Sequence, residues 1–396
     1  MKWASALSAK ADLDEALRDC ADTLKRELAA PPDLLVAFLS PHFSSDYGQV
    51  PRLAERALKH RRFLGCSAGG VIGAGLEVEH QPAVALMGAL LPGTTLTPFH
   101  LQADGLPDMD APPKAWAAAV GGVDRAQKPN FLLVADPFTF NPEELARGLD
   151  FAFGGSVSIG GLASGASRPG DNALFLDGQI HRSGLVGLAF TGNVAIDPIV
   201  AQGCRPIGKP MRVTSCDKNV LEELDGKRAL QAVEDLLETL PDADQQLART
   251  SLFLGLLSDP LSAPAPKRDY LIRNLIGLDS DRGSIAIGAM LRPGQTVQFH
   301  LRDKRTSAED LKRRLDEYAG SKSASSASGA LLFSCLGRGK HLYGVSNHDS
   351  EAFQASVGKV PLGGFFCNGE IGPVEGTTHL HGYTSCFGIF RPLQAA

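Results

Sequence analysis

One scheme returns three times along this chain, and it limits the possible folds more than any other feature of the sequence. "DLLVAFLSP" (33–41) is a short apolar run ending in Ser-Pro, followed by a polar loop, the helical segment "VPRLAERALKHRR", and an extended run into "GCSAGGVIGAG". "NFLLVADPF" (130–138) repeats it, with Asn141 as N-cap, Pro142 at the first helical position, a helix through Phe151, and then "SVSIGGLASG". "GALLFSCLGRG" (329–339), "DSEAFQASVG" and "PLGGFFCNGEIG" give it once more. Apolar runs this short, bounded by turn residues, are strands buried in a core, and the segments between them carry helical periodicity.

A second repeat is visible letter by letter. "GALLPGTTLTPFHL" (88–101) aligns with "GAMLRPGQTVQFHL" (288–301) after one gap. A separation of ~200 residues points to duplication of a domain, since solenoid repeats are several-fold shorter. The expected organisation is an N-terminal helix within 1–29, a first half over 30–198 and a second over 199–392, with Phe99 and Phe299 in equivalent places. Asp12 and Glu15 can form a capping box for a helix over 8–28, where Leu13, Leu17, Cys20, Leu24 and Leu28 recur at helical spacing. Pro- and Ser-rich stretches at 106–114, 259–267 and 321–329 read as surface loops. Asp177-Gly178 and Asn368-Gly369 lie between extended runs and read as tight hairpin turns. The fold class is therefore α+β: two homologous halves of mixed, largely antiparallel β-sheets, packed together and covered by helices.

Composition excludes several functions. A chain of 396 residues, 43% hydrophobic and 21% charged, can bury a sizeable core. A net charge of −5 argues against a dedicated nucleic-acid binder, because affinity for phosphate needs a cationic surface. The clusters "KHRR" (59–62) and "KRR" (312–314) read as solvated helix faces. No apolar run reaches the ~20 residues of a membrane span, and "MKWASALSAKADLDEAL" lacks the apolar centre of a signal peptide. The expected location is the cytoplasm. Seven sparse cysteines, an odd number with no C-x-x-C pair, are expected as thiols.

"GCSAGG" (65–70) satisfies G-x-S-x-G and nominates Ser67, with Cys66 beside it, as a nucleophile. That motif needs a helix directly after the serine, and "AGGVIGAGLEVEH" offers glycines and an extended run instead. The glycines are better suited to close backbone packing or approach to a ligand. Neither a phosphate-binding P-loop nor a dinucleotide fingerprint occurs in order.

The stretch "GGFFCNGEIGPVEGTTHLHGYTSCFGIF" (363–390) closely resembles the end of the FIST domain, with its G-x-x-x-N-G-E-I-G-P turn and Leu-His-Gly-aromatic-Thr strand. "RRFLGCSAGGVIG" resembles the glycine-rich strand of that family's N-terminal half, and "DYLIRNLIGLDSDRGSIAIG" (269–288) the middle of its C-terminal half. The similarity runs from about residue 30 to 392. It implies a cytoplasmic sensory module that binds a small molecule, amino acids being the usual suggestion; some bacterial members bind haem. Family members are often fused to or encoded beside signalling enzymes, and eukaryotic relatives carry an F-box. With no output domain visible here, the signal is expected to leave through a partner protein or through self-association in a homo-oligomer.

The same segment supplies the candidate site. Glu370 can project toward a cationic group of a ligand, and His381 shares a strand face with His379 and Tyr383. Asn368 and Gly369 would fix the turn, while Gly363 and Gly364 would open backbone amides to the ligand. Cys367, Cys66 and Ser67 complete the set. His379 and His381 with Cys367 or Cys386 could approach a metal ion, and His379, His381, His100 or His300 could be an axial ligand of haem, although spacing requires neither. The competing enzymatic reading is a hydrolase or transferase using Cys66, Ser67 or Cys367 with His381 as base.

Overall fold

A computed structural model describes residues 1–257 and 270–393, so the loop expected at 259–267 lies outside the described residues. The chain divides into two compact units: one joins residues 1–201 to the segment from 311 onward, and the other is Gln202–Asp310.

The first unit builds the recurring scheme three times. The first module runs β1 (Lys2–Ser8), α1 (Leu13–Leu28), β2 (Leu34–Leu39), α2 (Val50–Ala57), β3 (Arg62–Ser67), a hairpin of β4 (Gly70–Gly73) and β5 (Leu76–Glu79), and β6 (Val84–Leu90). The second runs β7 (Thr94–Leu101), α3 (Pro113–Ala119), β8 (Asn130–Ala135), α4 (Pro142–Ala152), β9 (Ser158–Leu162), the hairpin β10 (Leu174–Leu176) and β11 (Gln179–His181), and β12 (Leu185–Gly192). The third opens with β13 (Ala195–Ala201), after which the chain enters the second unit.

That second unit holds β14 (Cys204–Asp217), β15 (Val220–Leu224), β16 (Lys227–Arg228), α5 (Ala229–Glu238), α6 (Asp242–Ser251), β17 (Leu252–Leu257), β18 (Tyr270–Asp279), β19 (Ser284–Ile287) and β20 (Thr296–Arg302). Its described strands are antiparallel, and β14 bonds both β20 and β15, so the sheet closes on itself around Leu221, Leu254, Ile285 and Phe299. The chain leaves through α7 (Lys304–Ala319), which Asp303 opens by accepting from the Thr306 amide. The third module then resumes with β21 (Gly329–Cys335), α8 (Gly339–Tyr343), α9 (His348–Val357), β22 (Leu362–Cys367), the hairpin β23 (Glu370–Val374) and β24 (Thr377–His381), and β25 (Ser385–Arg391).

Each module makes a sheet with one parallel pair, β2–β3, β8–β9 or β21–β22, flanked by antiparallel strands. Each hairpin leaves its own module and completes another's sheet: β4 pairs with β22, β10 with β3, and β23 with β9. The orders are β1-β6-β2-β3-β10-β11, β7-β12-β8-β9-β23-β24 and β13-β25-β21-β22-β4-β5. No module has a complete sheet without its neighbours, so the three fold as one unit.

The central parallel strands carry apolar residues on both faces because both faces are covered. Inner faces of all three sheets meet in one core, where Phe38 stacks on Phe365 and Phe390 packs against both Trp3 and Phe190. Helices cover the outer faces: α1 and α2 on the first sheet, α3 and α4 on the second, α9 and the end of α7 on the third. The fold is thus α+β, with mixed and antiparallel sheets clothed by helices.

The glycine-rich strands have a packing explanation. Gly65, Gly160 and Gly364 stand in register with Ala37, Leu133 and Leu332, and a Cβ on each would lie 2.1, 1.8 and 1.9 Å from the partner's carbonyl oxygen. Only glycine permits that approach, once in each module.

Three expectations are corrected. Residues Lys2–Ser8 ahead of the N-terminal helix form a strand, held by pairing along its whole length with β6 although "KWASALS" is mostly small residues; the helix begins at Leu13, where Asp12 accepts from the Glu15 amide. Asn368-Gly369 is not a hairpin turn: it carries the chain from β22 to β23, and the turn falls at Glu375-Gly376, with Glu375 at φ +50°. Asp177-Gly178 does turn the β10–β11 hairpin. Phe99 and Phe299 are not equivalent, for β7 is an edge strand bonded to β12 whereas β20 lies between β14 and β17.

Candidate functional site

Open sheets with parallel strands present ligand sites beyond the carboxyl ends of those strands. In the first sheet those ends are Leu39 and Ser67, neighbours in register, and a cleft of about 720 Å³ lies against Ser67 and the Pro41–Gln49 segment that follows Leu39. Its size suits a small metabolite. The 3-10 segment Pro41–Gln49 after β2 contributes Ser44, Ser45 and Tyr47; the loop between β9 and β10 contributes Asp171 and Asn172; and Arg182 follows the borrowed β11. Residues from two modules therefore face one space.

The polar groups of the cleft are bonded into a fixed arrangement. Ser67 Oγ donates to Asn172 Oδ1 at 3.1 Å and accepts from the Ala173 amide at 3.1 Å. Arg182 Nη1 donates to the carbonyls of Asp171 and Asn172 at 3.3 and 3.2 Å, and the guanidinium lies 5.7 Å from the centroid of the Tyr47 ring. That distance is within cation–π range. Tyr47 donates to the Ser40 carbonyl at 3.1 Å, and burial pushes its phenol far above the ordinary range, so the hydroxyl stays protonated. The cleft offers one guanidinium, one carboxylate and several hydroxyls around a largely polar space.

Of the residues expected from sequence, Ser67 lines this cleft. Cys66 precedes it, but its thiol lies in the central core and is raised well above the ordinary range by burial. The others do not open onto it. Glu370 is fully buried, accepting from the Thr384 amide at 3.1 Å and from Cys367 Sγ at 3.4 Å, and it stands opposite His381 in the β23–β24 register. His381 is 4% exposed, with Nε2 2.9 Å from the Gly372 carbonyl. Gly369 accepts from the Leu162 amide and Asn368 donates to the Leu162 carbonyl, which ties the β22–β23 crossing to β9. Tyr383 is half-buried at φ +66°. Gly363 and Gly364 are buried between strands, where a Cβ at Gly363 would strike Met87 at 2.2 Å, so they serve packing rather than ligand access.

The enzymatic alternatives lack the chemistry they need here. β4 follows Ser67, not a helix, and the Ser67 proton goes to an amide oxygen, which is no base. Burial and then the Glu370 charge push the Cys367 thiol up, the reverse of activation. Among the described residues no three His, Cys, Asp or Glu side chains converge to hold a metal ion. The cleft also does not fit haem: its lining contains no histidine, cysteine or methionine for the iron, and its one tyrosine, Tyr47, is held protonated with its hydrogen on the Ser40 carbonyl. His300 is buried with Nδ1 on the Gln298 carbonyl, and burial lowers its pKa to about 4; His100 stacks on His181 at 3.8 Å.

Sequence reasoning missed Tyr47, Asp171, Asn172 and Arg182. One signal was present: 11 residues, Ala163–Ala173, separate β9 from its hairpin, against two in each of the other modules, Ala68-Gly69 and Asn368-Gly369. A long connection in a compact domain is often functional.

The three interlocked modules thus build an α+β fold with a polar cleft at the ends of one parallel strand pair. Family models match nearly the whole chain: the FIST N domain covers residues 33–227 and the FIST C domain residues 229–373, and the chain belongs to the FIST family. The two models meet inside the second unit, at β16. An uncharacterized protein of Mycobacterium tuberculosis is 34% identical over 98% of this chain and its own full length, and one of Mycobacterium bovis is 33% identical over 96% of each. An F-box/LRR-repeat protein of Arabidopsis thaliana is 25% identical over 40% of this chain and 31% of its own length. No helix among the described residues is long and apolar enough to cross a membrane.

Proposed function

We propose that this chain is a sensory protein that binds a small metabolite, an amino acid or a molecule of similar size, in the cleft beyond β2 and β3. Occupancy is passed to a signalling partner or a second copy, in the cytoplasm, where its seven thiols stay reduced. What supports the reading is the convergence on one space of Arg182, Asp171 and the Ser67 and Tyr47 hydroxyls. A carboxylate of the ligand pairs with Arg182, and its donor groups meet Asp171 and Ser67. The Glu370–His381 group has a structural part in this account, holding the β22–β23 crossing and the β23–β24 hairpin.

The test is a thermal-shift screen of amino acids and small carboxylic acids, followed by calorimetry on wild type and Arg182→Ala. Losing a charge-assisted bond should weaken binding roughly ten- to a hundredfold. An unchanged affinity in a folded variant would place the ligand elsewhere.

A further inference from the structure

Ser67 stands at the cleft, but what orients its hydroxyl comes from the neighbouring module. Asp136, directly after β8, is fully buried. Its Oδ1 accepts from Asn172 Nδ2 at 3.0 Å and its Oδ2 from Thr139 Oγ1 at 2.7 Å. Thr139 in turn accepts from the Gly184 amide at 2.9 Å, and the Asp136 amide donates to the Gly184 carbonyl. Gly184 lies two residues beyond Arg182, so one carboxylate ties together the segments that carry Asn172 and Arg182.

The direction of these bonds has a chemical consequence. A carboxylate accepts and an amide NH₂ donates, so Asp136 fixes which end of the Asn172 side chain faces it. Asn172 Oδ1 is thereby turned to Ser67, which spends its only hydrogen there. The Ala173 amide takes one of the two lone pairs of Ser67, leaving one lone pair and no proton. The Tyr47 phenol lies beside Ser67 at the cleft and has spent its own hydrogen on the Ser40 carbonyl, so it too presents lone pairs and no proton.

We propose that Asp136 is a specificity-determining positioning residue: by fixing the Asn172 amide it makes Ser67 Oγ an obligate acceptor, so the cleft selects ligands that bring an N–H or O–H donor. This rests on the cleft being the ligand site. A ligand offering only an acceptor at that point sets lone pair against lone pair and leaves Ser67 unsatisfied. Asp136→Asn removes the constraint: the amide introduced there can donate to Asn172 Oδ1, the Asn172 NH₂ then faces Ser67, and the Ser67 proton is freed for the ligand. Exchanging the pair, Asp136→Asn with Asn172→Asp, keeps a bond between the two positions and a carboxylate to accept from Ser67. Its polarity should then be that of wild type.

Two readouts test this. Without ligand, the Asn172 side-chain amide, assigned in a ¹⁵N spectrum by its loss in Asn172→Ala, should be protected from exchange in wild type and should move in Asp136→Asn. With ligand, α-amino acids and the matching 2-oxo acids are titrated as paired probes differing in donor against acceptor. Wild type should favour the amine by about tenfold or more; Asp136→Asn should abolish that preference, and the double exchange should restore it. If Asp136→Asn does not fold, the double exchange still decides, because loss of the preference there overturns the relay. An Asn172 amide that exchanges freely in wild type, or an amine preference untouched in folded Asp136→Asn, would also overturn it. Binding of neither probe set by wild type would fail the cleft reading, and the amide spectrum would still decide the relay.

Discussion

Glu77 gives the sharpest check on how the borrowed hairpins are held. It lies on β5, which completes the third sheet, and its Oε1 accepts from the Ser350 amide in the first turn of α9 at 2.7 Å while its own amide donates to Asn347 Oδ1 at 2.7 Å. The carboxyl is pushed up to about 7 from an ordinary 4.5, first by burial and then by the negative charge of Asp349, with Glu79 adding to it. Between those two values the folded state holds a proton that the unfolded chain has lost, so stability falls as pH rises through that window. The gap between them corresponds to about 3 kcal/mol, absent below pH 4.5 and fully developed above pH 7. Glu77→Gln keeps the acceptor for Ser350 and is neutral throughout. It should match wild type near pH 4 and exceed it by about 3 kcal/mol at about pH 8. Urea denaturation followed by tryptophan fluorescence reads the right part of the molecule, because the two tryptophans, Trp3 and Trp116, both lie in the first unit. A stability difference that does not grow between about pH 5 and 8 would refute the reasoning.

Two further perturbations probe the same unit. Arg338 and Asp349 form a fully buried ion pair through bonds of 2.9 and 3.1 Å, so Arg338→Met should cost about 3–5 kcal/mol, and Arg338→Met with Asp349→Asn, which removes the stranded charge and keeps an acceptor for Ser334 and Ser385, should regain part of it; a single-variant loss under about 1 kcal/mol in urea denaturation counts against a matched pair. Gly364→Ala puts a Cβ 1.9 Å from the Leu332 carbonyl and should lower stability by about 1–3 kcal/mol or more, whereas a neutral change in thermal melting would mean that the parallel strands have room to part.

The strand–helix–strand scheme was legible because its parallel strands are apolar on both faces and its helices are capped by residues such as Asp12 and Asn141. Where the hairpins go was not. β4, β10 and β23 are short, three to five residues each, and nothing local says that each will pair with a strand of another module. The Asn-Gly dipeptide misled for the same reason: Asn368-Gly369 has turn chemistry, yet it is used where the chain crosses between sheets. The candidate site was half legible. Ser67 stood out by its glycines, whereas Tyr47, Asn172, Arg182 and Asp136 meet only after the second module lends its hairpin to the first. Glu370 and His381 attracted attention as polar residues in a distinctive motif, and the structure uses them inside the fold.

Whether a metabolite sits beside Arg182 can be read by native mass spectrometry. Wild type and Arg182→Ala are each incubated with a small-molecule extract of the source cells, filtered, and weighed intact. The wild type should carry a discrete adduct of metabolite mass that is absent or much reduced on the folded variant. An adduct retained equally by both would overturn the assignment, because the ligand would then lie outside the cleft that Arg182 and Ser67 share.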